Sequence, residues 1–217
     1  HRKKDIIYVV LAGIFITNAL VAELIGGKLI HIGSTVMSLG ILPWPIVFIT
    51  TDLINEYFGE KGVKKLSFIT AGLIVYTFFL LLIGLQIPAV KGEGLITDEQ
   101  FGAVFGQSMW IIVGSIAAFL ISQLIDVTIF HFLKNKTGKK LLWLRSTAST
   151  VISQLFDSFI VLGIAFWLPG KINGETFVAS AFTGYSVKLL IAIGLTPLIY
   201  LGHYLIDNYL GAEKNGN

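Results

Sequence analysis

Cysteine is absent from this 217-residue chain, which excludes disulfides and thiolate metal sites and leaves the redox compartment open. Charge is scarce as well: 13% of residues are charged, where a soluble domain carries about 25%. There is no G-x-x-x-x-G-K-[ST], so the chain has no Walker A loop for ATP. There is no H-E-x-x-H, no G-x-S-x-G and no adjacent Ser–His pair, and the four histidines fall in four separate segments. Asp126 and Asp157 could mimic an intramembrane aspartyl pair, yet neither has the Gly-flanked setting such a site needs. Neither catalysis nor a bound cofactor is expected.

What the chain has instead is apolar length. It is 54% hydrophobic with a mean hydropathy of +0.80. Stretches near twenty residues recur from end to end, each able to cross a hydrocarbon core of about 30 Å. Their continuity predicts helices, because barrel strands alternate over about 10 residues. The expectation is an all-α integral membrane protein, a single domain over 1–217 that bundles six transmembrane helices near 6–25, 38–55, 66–87, 109–132, 149–168 and 179–203. The first stretch is too long for a signal-peptide core and lacks an A-x-A-like cleavage site, so it reads as a retained helix.

Lysine and arginine set the orientation. With the N-terminus inside, the inner segments hold Arg2, Lys3, Lys4, Lys61, Lys64, Lys65, Lys134, Lys136, Lys139, Lys140, Arg145 and Lys214. The outer loops hold Lys28, Lys91 and Lys171. The positive-inside rule then predicts both termini in the cytoplasm. The net charge of +3 reflects this topology, so nucleic-acid binding is not needed to explain it. Pro43 and Pro45 in the second span, and Pro197 in the sixth, are expected to kink or interrupt their helices.

Polar side chains inside the spans are the candidate functional residues, since a charge at mid-helix costs about 2.5–3.5 kcal/mol unless it faces protein or a watery cavity. Asp52, Asn55 and Glu56 share one face at the inner end of the second span. Two nearby carboxylates there invite a cation, a donor-rich ligand, or the following lysines 61, 64 and 65. "SQLID" (122–126) and "SQLFD" (153–157) form a short repeat in consecutive antiparallel spans. Gln123 with Asp126, and Gln154 with Asp157, each sit three apart and share a face. The two patches are expected at similar depth, lining one cavity. Asn18, Glu23 and His203 are further polar candidates. Lys188 is the one cation inside a span and calls for a carboxylate, with Asp157 favoured over Asp126.

"PWPIVFITTDLINEYFGEKGVKK" (43–65) resembles the signature segment of the queuosine precursor transporter family, six-span proteins formerly grouped as vitamin uptake transporters. "RSTASTVISQLFDSFIVLGIAFW" (145–167) and "KLLIAIGLTPLIY" (188–200) are similar to its later segments. The resemblance implies uptake, across the cytoplasmic (inner) membrane, of 7-deazaguanine bases: 7-cyano-7-deazaguanine, 7-aminomethyl-7-deazaguanine or queuine. The polar residues suit such a ligand. A carboxylate accepts from a guanine-like N1–H and amino group, and amide donors meet the O6 and N7 acceptors. Trp44, Phe48, Phe156, Phe159 and Trp167 are available to wall the ring faces.

The competing reading is a substrate-capture subunit of an energy-coupling-factor vitamin transporter, discriminated by uptake in cells without a coupling ATPase. A passive channel is a third, which saturable and selective uptake would oppose. The expected partners are the lipid bilayer and a small 7-deazapurine, with a homodimer and a coupling-factor ATPase left open.

Overall fold

The computed structural model describes residues 2–32, 35–138 and 141–211. Lys139, Lys140 and Lys214, counted above toward the inner face, lie outside them. The chain is built of α1 (Arg2–Ile25), α2 (Trp44–Gln86), α3 (Asp98–Phe105), α4 (Met109–Thr137), α5 (Leu142–Leu162), α6 (Gly174–Gly194) and α7 (Thr196–Gly211). A π-helical turn, Gly163–Trp167, prolongs α5. One departure from the all-α expectation is a hairpin between α1 and α2. Strands β1 (Leu29–Ile32) and β2 (Thr35–Ser38) pair antiparallel, with Leu29 opposite Ser38 and Ile32 opposite Thr35.

Five helical stretches are long and apolar enough to cross a membrane: Arg2–Ile25, Leu39–Gln86, Asp98–Thr137, Leu142–Trp167 and Gly174–Gly194. This is a multi-pass membrane protein. The second stretch has 48 residues. At about 1.5 Å per residue that is far longer than one bilayer crossing. It is divided at Gly59, whose φ of 75° and ψ of 175° are not helical. Side-chain-bearing residues strongly disfavour that region. The two limbs coincide with the second and third expected spans, and the expected loop between them is helical apart from the bend at Gly59.

Local chemistry explains the helix starts. Thr97 and Gln100 form a reciprocal capping box at α3, and Asn173 accepts from Thr176 N at 2.7 Å at the start of α6. Pro43 and Pro45 begin α2, where a missing N–H costs nothing, and so do not interrupt it as expected. Pro197 behaves as predicted. The helix breaks at Leu195, and Pro197 sits in the first turn of α7. The sixth expected span, 179–203, therefore crosses a break.

Phe15 of α1, Val47 and Ile54 of α2, and Phe119 and Val127 of α4 are at most 1% exposed and form the core. Large apolar side chains such as Val9, Phe79 and Leu190 face outward, as lipid contact requires. Lipid offers no hydrophobic drive between helices, so close packing and polar contacts must hold them. Gly114 illustrates the first: a Cβ there would meet Ala165 N at 3.2 Å and Val161 O at 3.3 Å. The absence of a side chain lets α4 lie against the backbone at the end of α5 and in the turn that prolongs it.

Candidate binding site

The polar contacts converge on α5. Ser146, Ser149, Thr150 and Ser153 recur at i, i+3, i+4 and i+7, one helical face, and all are buried. This hydroxyl face meets α2 and α4. Ser146 donates to Asp52 Oδ2, while Ser153 and Thr150 donate to Asp126 Oδ1 at 3.2 and 3.4 Å. One face of α5 thus holds carboxylates from two different helices.

Asp52 and Asn55 are 2% and 0% exposed. Asn55 Nδ2 donates to Val127 O of α4 at 3.2 Å, and Gln123 Nε2 donates to Thr51 Oγ1 at 2.8 Å. These bonds tie α2 to α4. Each leaves something over: Asp52 Oδ1 and Asn55 Oδ1 are buried acceptors without a donor. They lie one helical turn apart on the same face. An unsatisfied buried acceptor costs about 1–3 kcal/mol, so the arrangement favours a ligand that brings donors.

The repeat has a structural meaning. Ser153 of the second copy donates to Asp126 of the first, and Ser122 of the first donates to Asp157 of the second at 3.4 Å. Antiparallel α4 and α5 exchange equivalent contacts. Asp157 differs in also holding Lys188 of α6, with Nζ 2.5 Å from Oδ2. That is the pair the spacing predicts.

Toward the inner end, Glu56 does not use Lys61, Lys64 or Lys65, and Lys64 pairs with Glu60 instead. Its partners are Arg145 at 2.8 Å and Lys134 at 3.3 Å. Arg145 is 1% exposed, donates to Gly138 O at 3.1 Å and lies over the Phe130 ring. Counted above as an inner-loop charge, it is an interior residue of α5. Beside it, Tyr57 donates to Asp207 at 2.7 Å and contacts His203 Nδ1 at 2.8 Å, fastening α2 to α7.

Asp52, Asn55, Gln123, Asp126 and buried Gln154 gather where α2, α4 and α5 meet, with Glu56 and the Asp157–Lys188 pair at opposite ends. Trp44 and Phe48 stack with centroids 6.0 Å apart and precede Asp52 at i−8 and i−4, so they line its helix face. Asn18 is not drawn in; it donates to Ile14 O of its own helix. Phe156 is 47% exposed and lies roughly 160–200° around α5 from Gln154. It does not wall this cluster, a correction to its proposed role. Two clefts of about 360 Å³ lie elsewhere, one between α1 and α7 and one at the far end of α2.

Sequence reasoning missed Arg145, Tyr57 and the hydroxyl face. The signal for the last was present in "RSTASTVIS", whose small hydroxyl residues recur at helical spacing.

Residues 38–202 match the family described as "Putative vitamin uptake transporter". The chain belongs to this family. The matched segment runs from the end of β2 into α7 and holds the candidate site residues except Asn18, Glu23 and His203. A Bacillus subtilis protein named "Probable queuosine precursor transporter" is 29% identical over 185 residues, 83% of this chain and 78% of that protein. A Haemophilus influenzae protein of the same name is 28% identical, over 71% of this chain and 63% of its own length. An Escherichia coli protein named "Queuosine precursor transporter" is 28% identical, over 71% and 66%. No solved structure shows significant similarity.

Proposed function

We propose that this protein carries queuosine precursors across the membrane, and that its ligand is a 7-deazaguanine base recognised at Asp52 and Asn55. The names of the relatives support the substrate class. The observation that carries the site is the pair of buried acceptors, Asp52 Oδ1 and Asn55 Oδ1, left without donors. A 7-deazaguanine edge presents N1–H and an amino group on adjacent atoms, which suits two neighbouring acceptors. The stacked Trp44 and Phe48 rings offer the planar base an apolar surface on the way in.

Counting the two limbs of α2 separately gives six crossings, with both termini on the cytoplasmic side of the inner membrane. Glu56, Arg145 and Lys134 then close the inner end of the seam, and Asp157 with Lys188 the outer end. Opening one end at a time gives alternating access. The chain acts as a transporter, without chemical change to the base.

The test is titration of purified protein with 7-cyano-7-deazaguanine, 7-aminomethyl-7-deazaguanine, queuine and, as a control, 7-deazaadenine. The control base lacks the N1–H and 2-amino donors. Saturable binding of at least one guanine-like base, with 7-deazaadenine bound at least tenfold more weakly, is expected; no binding, or no preference, overturns the assignment.

A further inference from the structure

We infer that Asp126 is the binding site for a single positive charge, a proton or Na⁺, that crosses the membrane together with the base. The inference deepens the proposed function and rests on it for the coupling, though not for the ion site itself.

The argument begins with how charge is matched in the interior. Glu56 has Arg145 and Lys134 as partners, and Arg145 also acts on Asp52 at longer range. Asp157 has Lys188. Asp126 is 6% exposed, and its contacts are the neutral hydroxyls of Ser149, Ser153 and Thr150. Among the described residues, no Lys, Arg or His nitrogen lies within ion-pair distance of it. Its charged neighbour on the packed helices is Asp52, of the same sign. Glu23 also lacks an ion pair, but it stands in the last turn of α1, near the membrane edge. Asp126 is enclosed by α2, α4 and α5.

A buried carboxylate without a counter-charge is strongly unfavourable. A neutral base such as 7-cyano-7-deazaguanine does not remedy this, because its guanine-like edge offers donors without net charge. The aminomethyl bases bring an ammonium of their own, so the need for an ion arises with the neutral base. A second observation points to an ion at the same place. Asp52 Oδ1, the 2%-exposed acceptor that takes one donor of the base, is otherwise without a donor and has a second lone pair free when the base is bound, on a carboxylate held to the same α5 face one turn from Thr150. Asp126, Asp52 and the hydroxyls of Thr150 and Ser153 form an all-oxygen set. Such a set suits a hard cation or a shared proton. With the ion bound, the seam closes around a neutral centre. With base alone, closing buries an uncompensated charge. With a neutral base aboard, the loaded carrier therefore crosses with both, one charge for one base.

Two measurements test this. Without any base, intrinsic tryptophan fluorescence of the purified protein is titrated with NaCl at fixed pH and with pH at zero Na⁺. Wild type should respond to one of the two, which identifies the ion, and Asp126→Asn should lose that response. Ser153→Ala, which keeps the carboxylate, should shift its midpoint severalfold. In proteoliposomes, a tenfold gradient of that ion should sustain about a tenfold gradient of 7-cyano-7-deazaguanine at one-to-one coupling. Asp126→Asn should accumulate no base, whatever gradient of that ion is imposed. No response to either ion in wild type, or an unchanged response in folded Asp126→Asn and Ser153→Ala, overturns the ion site. Gradient-driven accumulation that survives in Asp126→Asn overturns the coupling. Failure of every base to bind while the ion response persists removes the substrate reading and leaves the ion site standing.

Discussion

Lys188 Nζ lies 2.5 Å from Asp157 Oδ2, joining α6 to α5 by an ion pair that is largely withdrawn from the surface. Removing one partner leaves the other charged and unmatched. Lys188→Met and Asp157→Asn should each destabilise the fold by about 3–5 kcal/mol, and the double substitution should cost less than either. Thermal unfolding in detergent checks the stability part, and uptake by the double mutant the role. A double mutant that folds normally but does not transport assigns the pair to the outer closure. One that transports like wild type removes it from the mechanism.

This pair was legible in the sequence because depth along a span can be counted from its ends. The same count placed Gln123 and Gln154 at similar depth, and both are buried. It could not show that Ser122 and Ser153 each serve the other copy's aspartate, since that depends on the rotation of α4 against α5. Arg145 was hidden for a different reason. It closes a lysine-rich segment, so the positive-inside rule reads it as loop charge, and only the fold shows it turned inward onto Glu56. Phe156 was misjudged because hydrophobic character does not distinguish an inward ring from a lipid-facing one. The bend in α2 falls between the second and third expected spans, in the stretch whose lysines mark the inner face; its helical continuity on both sides is a tertiary outcome.

Asp52→Asn and Glu56→Gln should fail in different ways. Asp52 Oδ2 is held by Ser146 and Oδ1 is without a donor, so an amide fits the fold but presents the wrong group to a donor-bearing base. Hydrogen bonds to a charged acceptor contribute about 1.5–3 kcal/mol, so binding should weaken more than tenfold with the unfolding temperature little changed. Glu56→Gln removes the anion between Arg145 and Lys134. Its main effect should be lower stability, by roughly 3 kcal/mol, with base affinity in the surviving folded fraction altered less. Equal losses of affinity in two well-folded variants would falsify the separation of roles.

Gly59→Ala should straighten or strain the bend of α2. The backbone there sits at φ 75° and ψ 175°, although a Cβ would meet nothing within 4 Å. The cost is therefore conformational, about 1–3 kcal/mol, and not steric. Gly62→Ala is the control in the helical limb beyond the bend, where a Cβ would meet Phe58 Cβ at 3.3 Å. If Gly59→Ala proves neutral while Gly62→Ala does not, the positive φ is not what divides the helix.

The exchanged serines allow a comparison inside one molecule. Ser153 and Ser122 make equivalent contacts to Asp126 and Asp157, at 3.2 and 3.4 Å, but the two aspartates keep different company. After Ser122→Ala, Asp157 retains the Lys188 ammonium, which satisfies most of its need. After Ser153→Ala, Asp126 retains the neutral hydroxyls of Ser149 and of Thr150, the latter at 3.4 Å, and among the described residues no cation within ion-pair distance. A hydrogen bond to a charged group contributes about 1.5–3 kcal/mol, so Ser153→Ala should lie near or above the top of the neutral range of about 0.5–1.5 kcal/mol and Ser122→Ala near its bottom. Chemical unfolding of the two variants measures the difference, and Lys188→Met provides the internal check. In that background Asp157 loses its cation, so Ser122→Ala should become the more costly of the two. If the order does not reverse, the ammonium is not what distinguishes the halves of the repeat.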